Sequence, residues 1–253
     1  MMAQSLPLTD IFLRKLDSIH ALDEDDRKAV NRLPLLVADI RADQDVVREG
    51  DRPTRSCFLI GGIACWSKTT GRGKRQILSF QIPGDLPDMQ SIHLSTLDST
   101  LTTLSPCRIA FVQHEPLRDI CERRPNVASA FWRMTLIDAA IFREWVMNVG
   151  SRQAYSRVSH LLCEMIVRFG AVGLTNSYSC ELPITQAELA DATGLSTVHI
   201  NRTLQTLRRQ KLIRWKDTKL EVLDWQGLKD AGDFEATYLH LRETPSQPRP
   251  DSE

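Results

Sequence analysis

The residues of this 253-residue chain best suited to chemistry with a partner lie on one side of a short stretch near its end. Thr197, Val198, Asn201, Arg202, Gln205 and Arg208 follow one another at steps of one, three, one, three and three, which gathers them on one helical face. Their side chains match what a DNA major groove offers. A guanidinium can bond guanine at two acceptors, an amide can pair with adenine, and a valine can pack on a thymine methyl. Six Lys or Arg (Arg202, Arg208, Arg209, Lys211, Arg214, Lys216) and no Asp or Glu occur from position 197 to 216, the local charge that phosphates attract. No nucleophile elbow, clustered carboxylates or phosphate-binding glycine loop accompanies them, so no enzyme is expected.

Several signals position that face. Thr185 and Glu188 are spaced as a capping box, so a helix starts there and runs to about Thr193. Gly194 permits a tight turn, Leu195 plugs the space between two helices, and Ser196 caps the second helix. Ile200, Leu204 and Leu207, spaced by four and three, form its inward side. Two short strands at 213–215 and 220–223, joined by a turn at 216–218, complete the layout of a wing. A helix-turn-helix with a wing places its second helix in the major groove. An αα-hairpin whose charges are merely solvated is the plainer reading, and the wing argues against it.

The motif TQAELADATGLSTVHINRTLQTLRRQKLI, residues 185–213, closely resembles the Crp/Fnr family of bacterial transcription regulators. The likeness extends more weakly over nearly the whole chain. Arg48-Glu49-Gly50-Asp51, Phe58-Leu59-Ile60-Gly61-Gly62-Ile63 and Phe80-Gln81-Ile82-Pro83-Gly84-Asp85 look like successive turns of that family's cyclic-nucleotide-binding β-roll. The resemblance implies an α+β protein: an antiparallel roll, a long dimerisation helix and a winged helix-turn-helix. It implies double-stranded DNA as partner, a homodimer on a palindromic site, and RNA polymerase as a further partner. Ser196, Thr197, Val198, Asn201, Arg202, Gln205 and Arg208 are the DNA-binding residues it suggests, with Arg202 at the family's recognition arginine. Val198 replaces a glutamate common there, so the half-site should differ at one base pair. A signal-binding or protein-interaction module that does not bind DNA is the alternative.

Composition and pattern bound the rest. The 32 basic and 32 acidic residues cancel, so any affinity for nucleic acid is local. No signal peptide or membrane-length apolar run is evident, which predicts a cytoplasmic protein. The six cysteines lie at least eight positions apart without a CxxC pair, so buried free thiols are expected rather than zinc or iron–sulfur ligation. Residues 6–22 and 24–33 have helical character. Short apolar runs between glycine turns from 35 to 111 indicate a small antiparallel barrel or roll. Pro116 and Pro125 bracket a short helix. A long helix then reaches about Val149, with one apolar stripe through Ala130, Met134, Ile137, Ile141 and Trp145 and a second through Trp132, Leu136, Ala139, Phe142 and Val146. A helix apolar on two faces needs two neighbours, here the roll and a second copy packed as a parallel coiled coil. Gly150 and Ser151 mark a hinge. Further helices are expected at 158–169 and 224–242, with a loop at 170–179. The expected domains are 1–125 (sensor), 126–150 (dimerisation helix and hinge), 151–242 (DNA binding) and 243–253 (a disordered tail).

The roll's ligand is not expected to be a cyclic nucleotide. Cyclic-nucleotide-binding members carry a Gly-Glu pair and then an Arg-Ser pair after the Pro-Gly-Asp turn. Here Asp88 and Met89 stand at the first pair, and no Lys or Arg occurs between positions 75 and 108. A phosphate buried there without a cation would be costly, and Asp85, Asp88 and Asp98 would repel it. The pocket is therefore expected to serve another effector, or none, with no bound cofactor.

Overall fold

The structure, a computed structural model, describes residues 9–242. The expected disordered tail at 243–253 lies outside those residues.

Two short helices open the fold. α1 (Asp10–Ile19) turns Phe12, Leu16 and Ile19 inward, and α2 (Glu24–Asn31) begins at a capping box between Asp23 and Asp26. Seven strands follow: β1 (Leu36–Ile40), β2 (Asp45–Val47), β3 (Arg55–Gly61), β4 (Ala64–Thr69), β5 (Arg75–Gln81), β6 (Thr100–Thr103) and β7 (Cys107–Gln113). They form two antiparallel sheets in the orders β1-β7-β3 and β2-β6-β4-β5, which is the expected roll. Cys57, Leu59, Trp66, Leu101 and Ile109 fill the space between the sheets. Gly62 lies in the left-handed region at φ +85°, and a Cβ there would stand 2.4 Å from Pro106 O, so this turn requires glycine.

α3 (His114–Arg123) starts two residues before Pro116, which sits in the first turn where its missing N–H is not needed. α4 (Pro125–Ser151) is the longest helix. Ala130, Met134, Ile137, Ile141 and Trp145 are all buried within the one chain, whereas Trp132, Leu136, Phe142 and Val146 are exposed at 70%, 58%, 37% and 74%. One apolar stripe is thus covered and the other is open. The hinge expected at Gly150 and Ser151 is displaced: α4 stays helical through both, and the chain breaks at Arg152 and Gln153, before α5 (Ala154–Ala171). Nothing lies within 4 Å of a Cβ built at Gly150, so no close contact requires glycine there.

The last part is the winged unit. β8 (Ser179–Glu181) was not expected; it adds to β10 (Lys219–Val222), which pairs in turn with β9 (Ile213–Lys216). α6 (Gln186–Thr193) and α7 (Thr197–Arg209) lie between β8 and β9 in the chain. The single helix expected over 224–242 is two pieces. α8 (Trp225–Gly232) ends at Asp233, φ 47°, and a 3-10 turn occupies Ala236–Leu239. A Cβ at Gly232 would meet the backbone of His160 at 2.7 Å, so the close approach of α8 to α5 requires glycine there, and Phe234 then turns in against the His160 ring. Of the six cysteines, five are buried and Cys121 is partly so, and all are free thiols. Among the described residues no helix is long and apolar enough to cross a membrane.

Candidate nucleic-acid interface and effector cavity

The helix pair is built by local signals. Thr185 accepts from Glu188 N and the Glu188 carboxylate accepts from Thr185 N at 2.6 Å, so both halves of the capping box form. Gly194 ends α6 at φ 67°, a conformation that strains other residues. Ser196 caps α7 through His199 N at 3.3 Å. Ile200, Leu204 and Leu207 are buried against α6 and α5. The opposite face stands clear: Ser196, Thr197, Val198, Arg202, Gln205 and Arg208 are exposed and Asn201 is half-buried. All seven sequence-suggested residues therefore share one accessible side.

The charges on that side differ in freedom. Arg208 donates to Trp215 O at 3.3 Å and so ties α7 to the wing, and Arg214 pairs with Glu221 at 2.7 Å across the wing strands. Arg202, Arg209, Lys211 and Lys216 are exposed, and no carboxylate pairs with them among the described residues. Gln186, the first residue of α6, also belongs to this surface: it bonds to Asn201 at 3.2 Å. Its place at the start of a helix carried no signal of that contact, which is made across the turn.

The second site lies between the roll and α4. A cavity of about 380 Å³ is lined by Trp66, Leu78 and Gln81 from the roll, Asp138 and Phe142 from α4, and Arg168 from α5. Two expectations about its charge need correction. A cation does reach it, from far along the chain, because Arg168 comes in from α5. That cation is already engaged: it bonds Asp85 at 3.0 Å, Glu164 at 3.2 Å and Phe80 O at 2.9 Å, and Lys15 approaches Asp85 at 2.7 Å. Of the three aspartates expected to repel a phosphate, only Asp98 lines the cavity. Asp85 is neutralised by those two cations, which hold its carboxyl below the ordinary range although burial alone would raise it. Asp88 is turned away and accepts from Cys57 N at 2.8 Å. The carboxylate that sequence reading missed is Asp138, pushed up to about 7 by burial and by the nearby Asp85. Its sequence signal was only a polar residue beside the inner stripe of α4.

Two family models match the chain: a cyclic nucleotide-binding domain over residues 38–124 and a Crp-like helix-turn-helix domain over residues 156–231. Together they cover more than half of it. The chain belongs to the Crp/Fnr family of bacterial transcription regulators. Among its relatives is the transcriptional activator protein FnrL of Cereibacter sphaeroides, 27% identical over 198 residues, 76% of this chain and 79% of the relative. The transcriptional activatory protein AadR of Rhodopseudomonas palustris is 29% identical over 168 residues, 66% of this chain and 68% of the relative. In fold, the chain is similar to FixK2 from Bradyrhizobium japonicum, with a TM-score of 0.72 and 20% identity over 79% of this chain and 98% of that one. Like its relatives, this member of the Crp/Fnr family is a DNA-binding regulator of transcription.

Proposed function

We infer that this regulator binds a palindromic operator as a homodimer, reading each half-site with α7, and that its roll answers to an effector other than a cyclic nucleotide or to none. The observation that carries the reading is the pairing of two open faces: the polar and cationic side of α7, and the uncovered stripe of Trp132, Leu136 and Val146 on α4. A second copy laid along that stripe would bury it and relate two recognition helices by a two-fold axis, as half-sites one helical turn apart require. The cavity supports the negative part. Its one cation is neutralised by Asp85 and Glu164, and Asp98 adds negative charge, so a cyclic phosphate would find no free partner. DNA as the partner and the absence of a suitable membrane helix among the described residues favour a cytoplasmic site of action. Relatives named as activators favour RNA polymerase as the protein that the DNA-bound dimer addresses.

Selection of bound duplexes from a random pool, followed by titration at several salt concentrations, tests this. A palindromic consensus bound by two chains, with affinity falling steeply as salt rises, is expected. Salt-independent binding or a single asymmetric site would refute it. Cyclic AMP or cyclic GMP binding at micromolar concentration and tightening the DNA complex would overturn the effector reading.

A further inference from the structure

The side-chain amide of Asn201 is held from two sides. Its Nδ2 donates to Gln186 Oε1 at 3.2 Å, across the turn between α6 and α7, and its Oδ1 accepts from Gln205 Nε2 at 2.9 Å, one helical turn along α7. Gln186 and Gln205 are exposed and Asn201 is half-buried between them. A primary amide has two N–H groups and an oxygen with two lone pairs. The two bonds use one of each on Asn201, so one donor and one acceptor remain.

A free amide can turn over and exchange its oxygen and nitrogen with no change of shape. Here such a flip would set Nδ2 against Gln205 Nε2 and Oδ1 against Gln186 Oε1, so it requires both glutamines to flip too. The remaining degeneracy is broken from outside. Gln186 opens the first helix of the pair, and that helix crosses the phosphate backbone when the second enters the groove. Phosphate oxygens only accept, so they hold Gln186 Nε2 toward the DNA and Oε1 toward Asn201.

Resting on the reading of α7 as the major-groove helix, we propose that Asn201 reads an adenine and that Gln186 and Gln205 are positioning residues that fix which way round its amide lies. The remaining donor and acceptor of Asn201 match adenine N7 and the N6 amino group. Guanine presents two acceptors on the same edge, and neither pyrimidine presents such a pair. Gln186 thereby carries information from the phosphate backbone to a base that it does not touch.

The test uses full-length chains and competition titrations in which the selected half-site is changed at single base pairs. One A·T pair is expected whose preference is abolished by Asn201→Ala and reduced about tenfold, at that pair alone, by Gln186→Ala or Gln205→Ala. Gln186→Glu keeps an acceptor for Asn201 but repels phosphate, so it is expected to retain the preference while weakening every sequence alike. A merely structural role for Gln186 predicts no such split. Melting curves of the variants check that each is folded. Loss at a different pair in Asn201→Ala, or uniform weakening in both glutamine-to-alanine variants, overturns the proposal. A wild-type chain that enriches no sequence overturns the reading of α7 itself, and with it this one, and is recognised before any variant is made.

Discussion

At the scale of single residues, Arg202 and Arg208 of α7 are set apart by what already holds them. Arg208 is tethered to the wing through Trp215 O, an arrangement suited to a guanidinium that braces the unit and meets backbone phosphate. Arg202 lies nearer the start of the helix, exposed, and its guanidinium has no hydrogen bond among the described residues. It is free to reach a guanine at O6 and N7. Arg202→Ala is expected to cost about 1–3 kcal/mol of discrimination at one G·C pair. Arg208→Ala should instead weaken all sequences together and lower the slope of log affinity against log salt by about one. Uniform weakening by Arg202→Ala, measured over a set of variant half-sites, would show that it contacts phosphate only. Val198, 58% exposed beside it, can accept no hydrogen bond from cytosine and can pack only on a thymine methyl.

At the scale of elements, α4 shows which features a sequence can express. Its two apolar stripes are written in the spacing of its residues, and the structure separates them into one that is covered by its own chain and one that is open. If the open stripe is the seam between two copies, Leu136→Glu and Val146→Glu place carboxylates in an apolar contact and should convert a dimer to a monomer with greatly weakened operator binding. Sedimentation at micromolar concentration checks this. A wild-type monomer, or a dimer indifferent to both changes, would remove α4 from the interface. The helix-turn-helix was legible for a similar reason, because Thr185, Glu188, Gly194 and Ser196 each act within a few residues of themselves. The strands β2, β4, β6 and β8 were not. Thr103, for instance, is fully buried and satisfied by the carbonyl of Arg41 at 2.7 Å, so its strand does not show the apolar alternation that marks a half-buried one. β8 exists only because β10, some forty positions later, supplies its partner. The glycine at position 232 likewise answers to the backbone of His160, far earlier in the chain, which no local pattern announces.

At the scale of the whole molecule, the roll and the DNA-binding unit are joined by polar contacts as well as apolar ones. Arg75 of β5 pairs with Asp191 at 2.8 Å, and Gln76 donates to the carbonyl of Asp191 at 2.7 Å, so the roll holds the end of α6 directly. Deeper in, Arg168 joins the roll, through Phe80 O and Asp85, to Glu164, which also accepts from Trp145 at 3.0 Å and from Tyr238 at 2.9 Å. One guanidinium thus links the roll, α4, α5 and the 3-10 turn after α8. Arg168 is 4% exposed, so removing it leaves buried carboxylates behind and the cost is mostly their desolvation. Arg168→Met is expected to destabilise the fold by about 3–5 kcal/mol, a fall of roughly 10 °C in melting temperature for a chain of this size. Asp85 keeps Lys15, so the larger share of that loss should come from Glu164. Adding Glu164→Gln keeps an acceptor for Trp145 and Tyr238 while removing the stranded charge, and the double variant should regain more than half of the lost stability. Chemical denaturation of the four chains measures the coupling. Additive losses would mean that Arg168 acts by packing alone and that the two halves are held together by their apolar contacts.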